Sequence, residues 1–422
     1  MWNRGHGEDR TKSACERCRE DFHSACNGLV SYFNGIVPDY MHGVLLGVTK
    51  KMLGLMTSSS NSGEAYFVGK NIKKIDDMLM EMKPTDAITR LPRKLEEHYH
   101  NFKASEFQIL LLFYLLPCMQ DLLSKQYLDH LALFVEGVYL LLGDDISFNQ
   151  LNRAELVLKL FYLQFKDLYG KNHMTLNLHN VGQHLCYYVR KLGPLWAWSC
   201  FPFEDMNGTI LEQVHGTGNV CLQILWTLQV QKKLVVDSVF ITNPIFKGFV
   251  DKMVKVGRHV KIKAVAANCK IAGSMTIFKP DNVLTEKLKT LFSVDTLGNL
   301  FKVLRIFKGD EIFISEQYTR MAKRISYIVS LDPETGVSMG AIQYFIYHGD
   351  TNSCVAVIKP IFSHNTKPLL HASVHHLIQI NKTFNDRLLE VVKVQSINQK
   401  LLYISGNEKN ICVSRLPKLF GM

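Results

Sequence analysis

Asp39-Tyr-Met-His-Gly-Val-Leu-Leu-Gly-Val-Thr-Lys-Lys-Met-Leu-Gly-Leu55 is the stretch from which the fold can be read outward. Its apolar residues fall at 41, 44, 45, 48, 52 and 55, the spacing of one helix face. Asp39 stands where a helix-capping carboxylate would stand. A short Ser-rich loop follows at 57–64. Helical spacing then dominates. Residues 107–116 and 127–142 are apolar nearly all round, as helices inside a large core are. Residues 154–169 are amphipathic and end at Gly170, a C-cap residue type. One helix is predicted over 174–192, stopped by Gly193-Pro194, and another from about Glu204 into the 230s. Residues 40–240 therefore read as mostly α-helical.

Toward the C-terminus the period changes from helical to alternating. Short β-branched and aromatic runs at 301–307, 311–314, 325–329, 340–347, 354–359, 389–394 and 401–404 are bounded by Gly, Asp, Asn and Pro. They predict a small barrel or sandwich. No internal repeat is visible. The overall expectation is an α+β chain: a helical body followed by a small β-rich domain.

The 422 residues are 47% hydrophobic and 21% charged, enough apolar content for packed cores in two or three domains. A net charge of +11 and a pI near 9.0 favour polyanionic partners through counterion release. The first residues carry no apolar leader run, and the longest apolar stretch, 107–119, is broken by Gln108 and Pro117 and is too short for a bilayer. The ten cysteines are scattered apart from one cluster, which suggests reduced thiols in a soluble intracellular protein. No phosphate-binding glycine loop, G-x-S-x-G or H-E-x-x-H is present, so nothing points to a kinase, a serine hydrolase or a zinc peptidase.

Five groups of residues could carry chemistry. Asp39 and His42, at i and i+3, can share a proton or a ligand; equally they can be a cap and a surface histidine. Glu204, in Phe201-Pro-Phe-Glu-Asp-Met-Asn-Gly208, falls at a helix start beside an aromatic group. There it can be a partly desolvated metal ligand or a first-turn acid facing the helix dipole. Cys15-x2-Cys18-x4-His23-x2-Cys26 offers a Cys3His set for zinc, or four ordinary side chains. Lys252, Lys255, Arg258, Lys261 and Lys263 form a basic stretch that can track a phosphate backbone or a solvated linker face. His179 and His184, five apart, would diverge on a continuous helix and read as core or hydrogen-bonded residues.

Several of these strings together resemble one family. Val37-Pro-Asp-Tyr-Met-His-Gly43, Phe102-Lys-Ala-Ser-Glu-Phe107, Asn172-His-Met-Thr-Leu-Asn-Leu-His-Asn180, and Gly193-Pro-Leu-Trp196 with Phe201-Pro-Phe-Glu-Asp-Met-Asn-Gly208 are similar, in this order, to motifs of CACTA (En/Spm-like) cut-and-paste DNA transposases. Gly340-Ala-Ile-Gln-Tyr-Phe-Ile-Tyr347 and Ala356-Val-Ile-Lys-Pro360 resemble the β-rich tail of animal members. The resemblance runs over residues 15–420. It implies a ribonuclease H-like core with a large helical insertion, in which three carboxylates hold two Mg2+ or Mn2+ ions for phosphodiester transfer. Asp39 and His42 would correspond to an auxiliary motif after the second catalytic aspartate, and Glu204 to the last acidic residue. The two upstream aspartates should precede Cys15, where only Asp9 stands.

The resemblance thus implies a nuclear, DNA-binding, transposase-derived chain, inactive as it stands, with a homo-oligomer as one arrangement. The implied organisation is a core remnant with the Cys/His cluster at 1–55, the helical insertion and last acidic helix at 56–240, a basic connector at 241–300 and the β-rich domain at 301–422. The second reading is a non-catalytic nuclear protein recruited for DNA or protein contacts.

Overall fold

A computed structural model describes residues 37–254, 262–266, 268–363, 374–380, 389–405 and 411–417. Helix α1 (Tyr40–Thr49) begins where the sequence places it, capped by Asp39, whose carboxylate accepts the His42 amide. It is wound as a π-helix and runs directly into α2 (Lys50–Thr57). The wide turn brings the Lys50 amide onto the Leu45 carbonyl and the Thr49 hydroxyl onto the Val44 carbonyl, 2.9 Å away. Such wide turns are concentrated at functional sites.

The helical body continues with α3 (Ile72–Glu81) and α4 (Leu95–His98), followed by a continuous buried run of α5 (Ala104–Ile109), α6 (Leu110–Tyr114) and α7 (Leu115–Met119). Next come α8 (Lys125–Leu140) and α9 (Phe148–Tyr169). The apolar run expected at 107–116 is buried at every position. Helix α9 starts six residues before 154, at Phe148, because Ser147 and Gln150 form a capping box. It ends at Gly170, whose φ of 93° suits a residue without a Cβ.

Two helical expectations are corrected. The single helix expected over 174–192 is two, α10 (Leu176–Gln183) and α11 (Leu185–Leu192), which break at His184. The helix expected from Glu204 into the 230s is also two, α12 (Phe201–Leu211) and α13 (Val220–Ser238), separated at Asn219, which has a left-handed backbone. Apolar spacing carried across the break at His184, so periodicity alone did not reveal it, whereas the second break follows Gly216-Thr-Gly-Asn219, a turn signal the helical reading ran through. Helix α14 (Pro244–Val254) follows. Beyond Phe201 this arm is mostly exposed: no residue of α13 is buried, and Trp226, Phe240 and Phe246 are exposed, although Val250 of α14 is buried.

The β region begins earlier than 301. Strands β1 (Ile262–Val265), β2 (Cys269–Ala272) and β3 (Thr276–Ile277) and helix α15 (Asn282–Phe292) occupy what reads in sequence as a basic connector. Then come β4 (Leu300–Val303), β5 (Arg305–Lys308), β6 (Glu311–Ile314), β7 (Ile328–Leu331), β8 (Met339–His348), β9 (Ser353–Pro360), β10 (Leu377–Gln379), β11 (Glu390–Lys393), β12 (Ile397–Ser405) and β13 (Ile411–Arg415).

All pairings are antiparallel. A small sheet has the order β1-β2-β5-β6, and a larger one runs β10-β13-β12-β7-β8-β4-β3, with β9 joining β8 to β11. β8 is the spine: β7 pairs with its first half, β4 with its last, and β9 with nearly its whole length.

The sheet is not a detached tail. Leu377, Leu402, Ile404 and Cys412 belong to the same apolar core as the helical body. The loop after α3 is bound from the sheet side as well. Arg324 donates to the carbonyls of Thr85, Ile88 and Thr89, and the Ile325 amide donates to the Pro84 carbonyl. Lys400, only 5% exposed, places its Nζ 2.8 and 2.9 Å from the two Asp86 carboxylate oxygens.

Candidate metal centre at two helix starts

Asp39 is the residue on which two distant segments meet. Its Oδ2 accepts the His42 amide at 2.7 Å and lies 2.7 Å from His42 Nδ1. Its Oδ1 accepts the Cys200 amide at 2.8 Å, 161 positions along the chain. One carboxylate therefore caps α1 and, through Cys200, the start of α12. Each helix start presents unpaired amides and the positive end of a helix dipole, which stabilise a negative charge there. Burial pushes the Asp39 carboxyl up, but the His42 and Cys200 amides outweigh it and hold the group below the usual carboxylate range.

Cys200 completes the group. One ligand atom each from Asp39, His42 and Cys200 lies within 4.8 Å of the others, a separation one ion can span. The Cys200 thiol is pushed up, first by burial and then by the negative charges of Asp39 and Glu204. Next door, Tyr40 is fully buried and its ring lies 6.4 Å from that of Phe201, so packing fixes the approach of α1 to α12.

Glu204 sits one turn beyond Cys200, its amide donating to the Cys200 carbonyl at 3.0 Å. It is exposed. The expected desolvation is corrected here, because only Phe201 of α12 reaches the core and Phe203 is itself 66% exposed. A first-turn acid facing solvent is what the geometry provides.

The histidines are hydrogen-bonded residues as the sequence suggests, but their expected divergence is corrected. The helix breaks at His184, whose φ is -119°, and His179 Nε2 comes to 3.1 Å from His184 Nε2 instead of diverging. The Tyr162 hydroxyl lies 3.5 Å from His179 Nδ1, and burial lowers the His179 pKa. The ring therefore favours its neutral form and shares a hydrogen with its neighbour.

Of the basic stretch, Lys252 lies in α14 and Lys263 in β1, where its Nζ stands 4.4 Å over the Tyr347 ring. Lys255, Arg258 and Lys261 lie outside the described residues, as do Cys15, Cys18, His23 and Cys26. Among the described residues, no helix is long and apolar enough to cross a membrane.

Sequence reasoning placed Asp39, His42 and Glu204 but passed over Cys200. The only local signal was a cysteine just before Phe201-Pro-Phe-Glu204, at a helix start. No family model, curated protein or solved structure matches the chain.

Proposed function

We propose that this chain is transposase-derived, of the CACTA group, and that its 422 residues bind DNA without cutting it. The observation that carries the reading is the meeting of Val37-Pro-Asp-Tyr-Met-His-Gly43 with Phe201-Pro-Phe-Glu-Asp-Met-Asn-Gly208. Two of the strings that resemble family motifs come together here, because the Asp39 carboxylate accepts the Cys200 amide next to Phe201, although the chain between them is long. The net charge of +11 supports a polyanionic partner, and a nuclear location follows from such a partner.

The residues do not fit the family's two Mg2+ or Mn2+ ions. A hard-cation pair needs several converging carboxylates. Here Asp39 already accepts two backbone amides and faces an imidazole and a thiol, while Glu204 is exposed in a first helical turn. The second reading, a recruited nuclear protein with protein rather than DNA partners, is favoured by the exposed aromatic side chains of the arm from α12 to α14.

Fluorescence anisotropy with a labelled DNA duplex at stepped salt, alongside a Mn2+-dependent nicking assay, tests the proposal. The expected result is binding whose logarithm falls linearly with log salt, by about 0.9 per phosphate contacted, and no nicking. Absence of binding at low salt would favour the protein-partner reading. Nicking that disappears in Glu204→Gln would overturn the non-catalytic part.

A further inference from the structure

We infer that Asp39, His42 and Cys200 form a binding site for a zinc-class divalent ion, with its fourth position open to water. The thiol of Cys200 and the imidazole Nδ1 of His42 both lie against the same carboxylate, Nδ1 at 2.7 Å. A carboxylate has about four acceptor positions, and two here take backbone amides. The remaining capacity points at two groups whose protons a metal can replace. On binding, Cys200 releases one proton and its sulfur takes up the ion as thiolate, while the imidazole binds through a nitrogen lone pair. The ion spreads the Asp39–His42 contact by roughly half an ångström, because Zn–O and Zn–N bonds are each about 2.0 Å in tetrahedral geometry.

The donor set selects the ion. Thiolate and imidazole favour zinc, cobalt(II) and similar borderline ions, whereas Mg2+ requires oxygen ligands in octahedral geometry. The burial gradient fits a site open on one side. Asp39 is 17% exposed and anchored at two helix starts, while His42 is 54% exposed and faces solvent. Two backbone amides hold Asp39 in place before any ion arrives, so this ligand is preorganised. The assignment stands apart from the transposase reading, since a site for zinc neither requires nor excludes DNA binding.

Cobalt(II) titration of the full chain is the test, followed by absorbance. The expected result is a thiolate-to-cobalt charge-transfer band with visible bands of tetrahedral intensity, bleached by Zn2+ at one equivalent per bound cobalt and untouched by excess Mg2+. Cys200→Ser should lower the stoichiometry by one ion per chain and remove that share of the charge-transfer band. His42→Ala should weaken the same site at least tenfold; its exposed ring makes it a variant that folds. Cys221→Ser, at an exposed thiol, should change nothing. If Cys200→Ser and His42→Ala both bind as many cobalt ions as the parent, with the same band, the site is refuted. Any ions then belong to other thiols, Cys15, Cys18 and Cys26 among them.

Discussion

Two buried imidazoles should weaken this protein as the pH falls. His130 donates from Nε2 to the Phe161 carbonyl at 2.9 Å and stacks on the Phe161 ring, while its Nδ1 has no hydrogen-bond partner. His376 bonds the Leu112 carbonyl at 2.9 Å and stacks on Tyr139 at 3.8 Å. Burial lowers both from 6.5 to about 4. The unfolded chain takes up these protons near pH 6.5, and the folded chain refuses them until about pH 4. Stability is therefore full above 6.5 and falls as pH drops through that window, by at most about 3 kcal/mol per histidine. Urea midpoints measured from pH 7 to pH 4 should show this loss. His130→Gln, which keeps a donor toward Phe161, should make the slope visibly shallower. An unchanged slope would mean that other groups carry the acid response.

For helix α1, close packing depends on absent side chains. A Cβ on Gly47 would stand 2.5 Å from Asn177 Nδ2 and 2.9 Å from the His42 carbonyl oxygen. Gly47 thus lets α1 lie against α10 while its backbone keeps the wide π turn. Gly47→Ala should cost about 1–3 kcal/mol as an overpacked contact. Adding Asn177→Ala should recover part of that loss, because it removes one of the two clashing groups but leaves the His42 carbonyl. A double-mutant cycle by thermal or urea denaturation measures the coupling, and strict additivity would show that the Asn177 contact is not the cause. The same helix carries Asp39 and His42 at its start, so a shift of α1 should also weaken the cobalt site.

Across the whole molecule, polar contacts fix the helical body and the sheets to each other. The Lys400–Asp86 pair is one of them, with Lys400 only 5% exposed. Lys400→Ala leaves the 17%-exposed Asp86 carboxylate without its ammonium partner and should cost about 3–5 kcal/mol. Asp86→Ala with Lys400→Met should be milder than Lys400→Ala alone, since no charge is then left stranded. Urea unfolding followed separately by far-UV and tryptophan signals checks both magnitude and cooperativity. Because Leu377, Leu402 and Ile404 share the helical core, the two signals should lose their common transition only if the interface fails before the core does.

The sequence by itself determined the α-then-β order, the cap at Asp39, the stop at Gly170 and the cores of the long strands β8, β9 and β12. These follow from local chemistry: side-chain period, capping oxygens and the conformational freedom of glycine. It also made Asp39, His42 and Glu204 visible as candidates, through their neighbours in the chain. The break at His184 was hidden because apolar spacing continued across it, while the one at Asn219 was legible in Gly216-Thr-Gly-Asn219 and was passed over. Strands β1, β2 and β3 were hidden because their short runs, interrupted by a lysine in β1 (Ile262-Lys-Ala-Val265) and β2, lie in what reads as a basic connector. Only the tertiary structure decided that Glu204 faces solvent, that His179 meets His184 and that Cys200 joins Asp39 across 161 positions. Burial and long-range contact are set by how helices pack, and no pattern within one segment records which distant segment will face it.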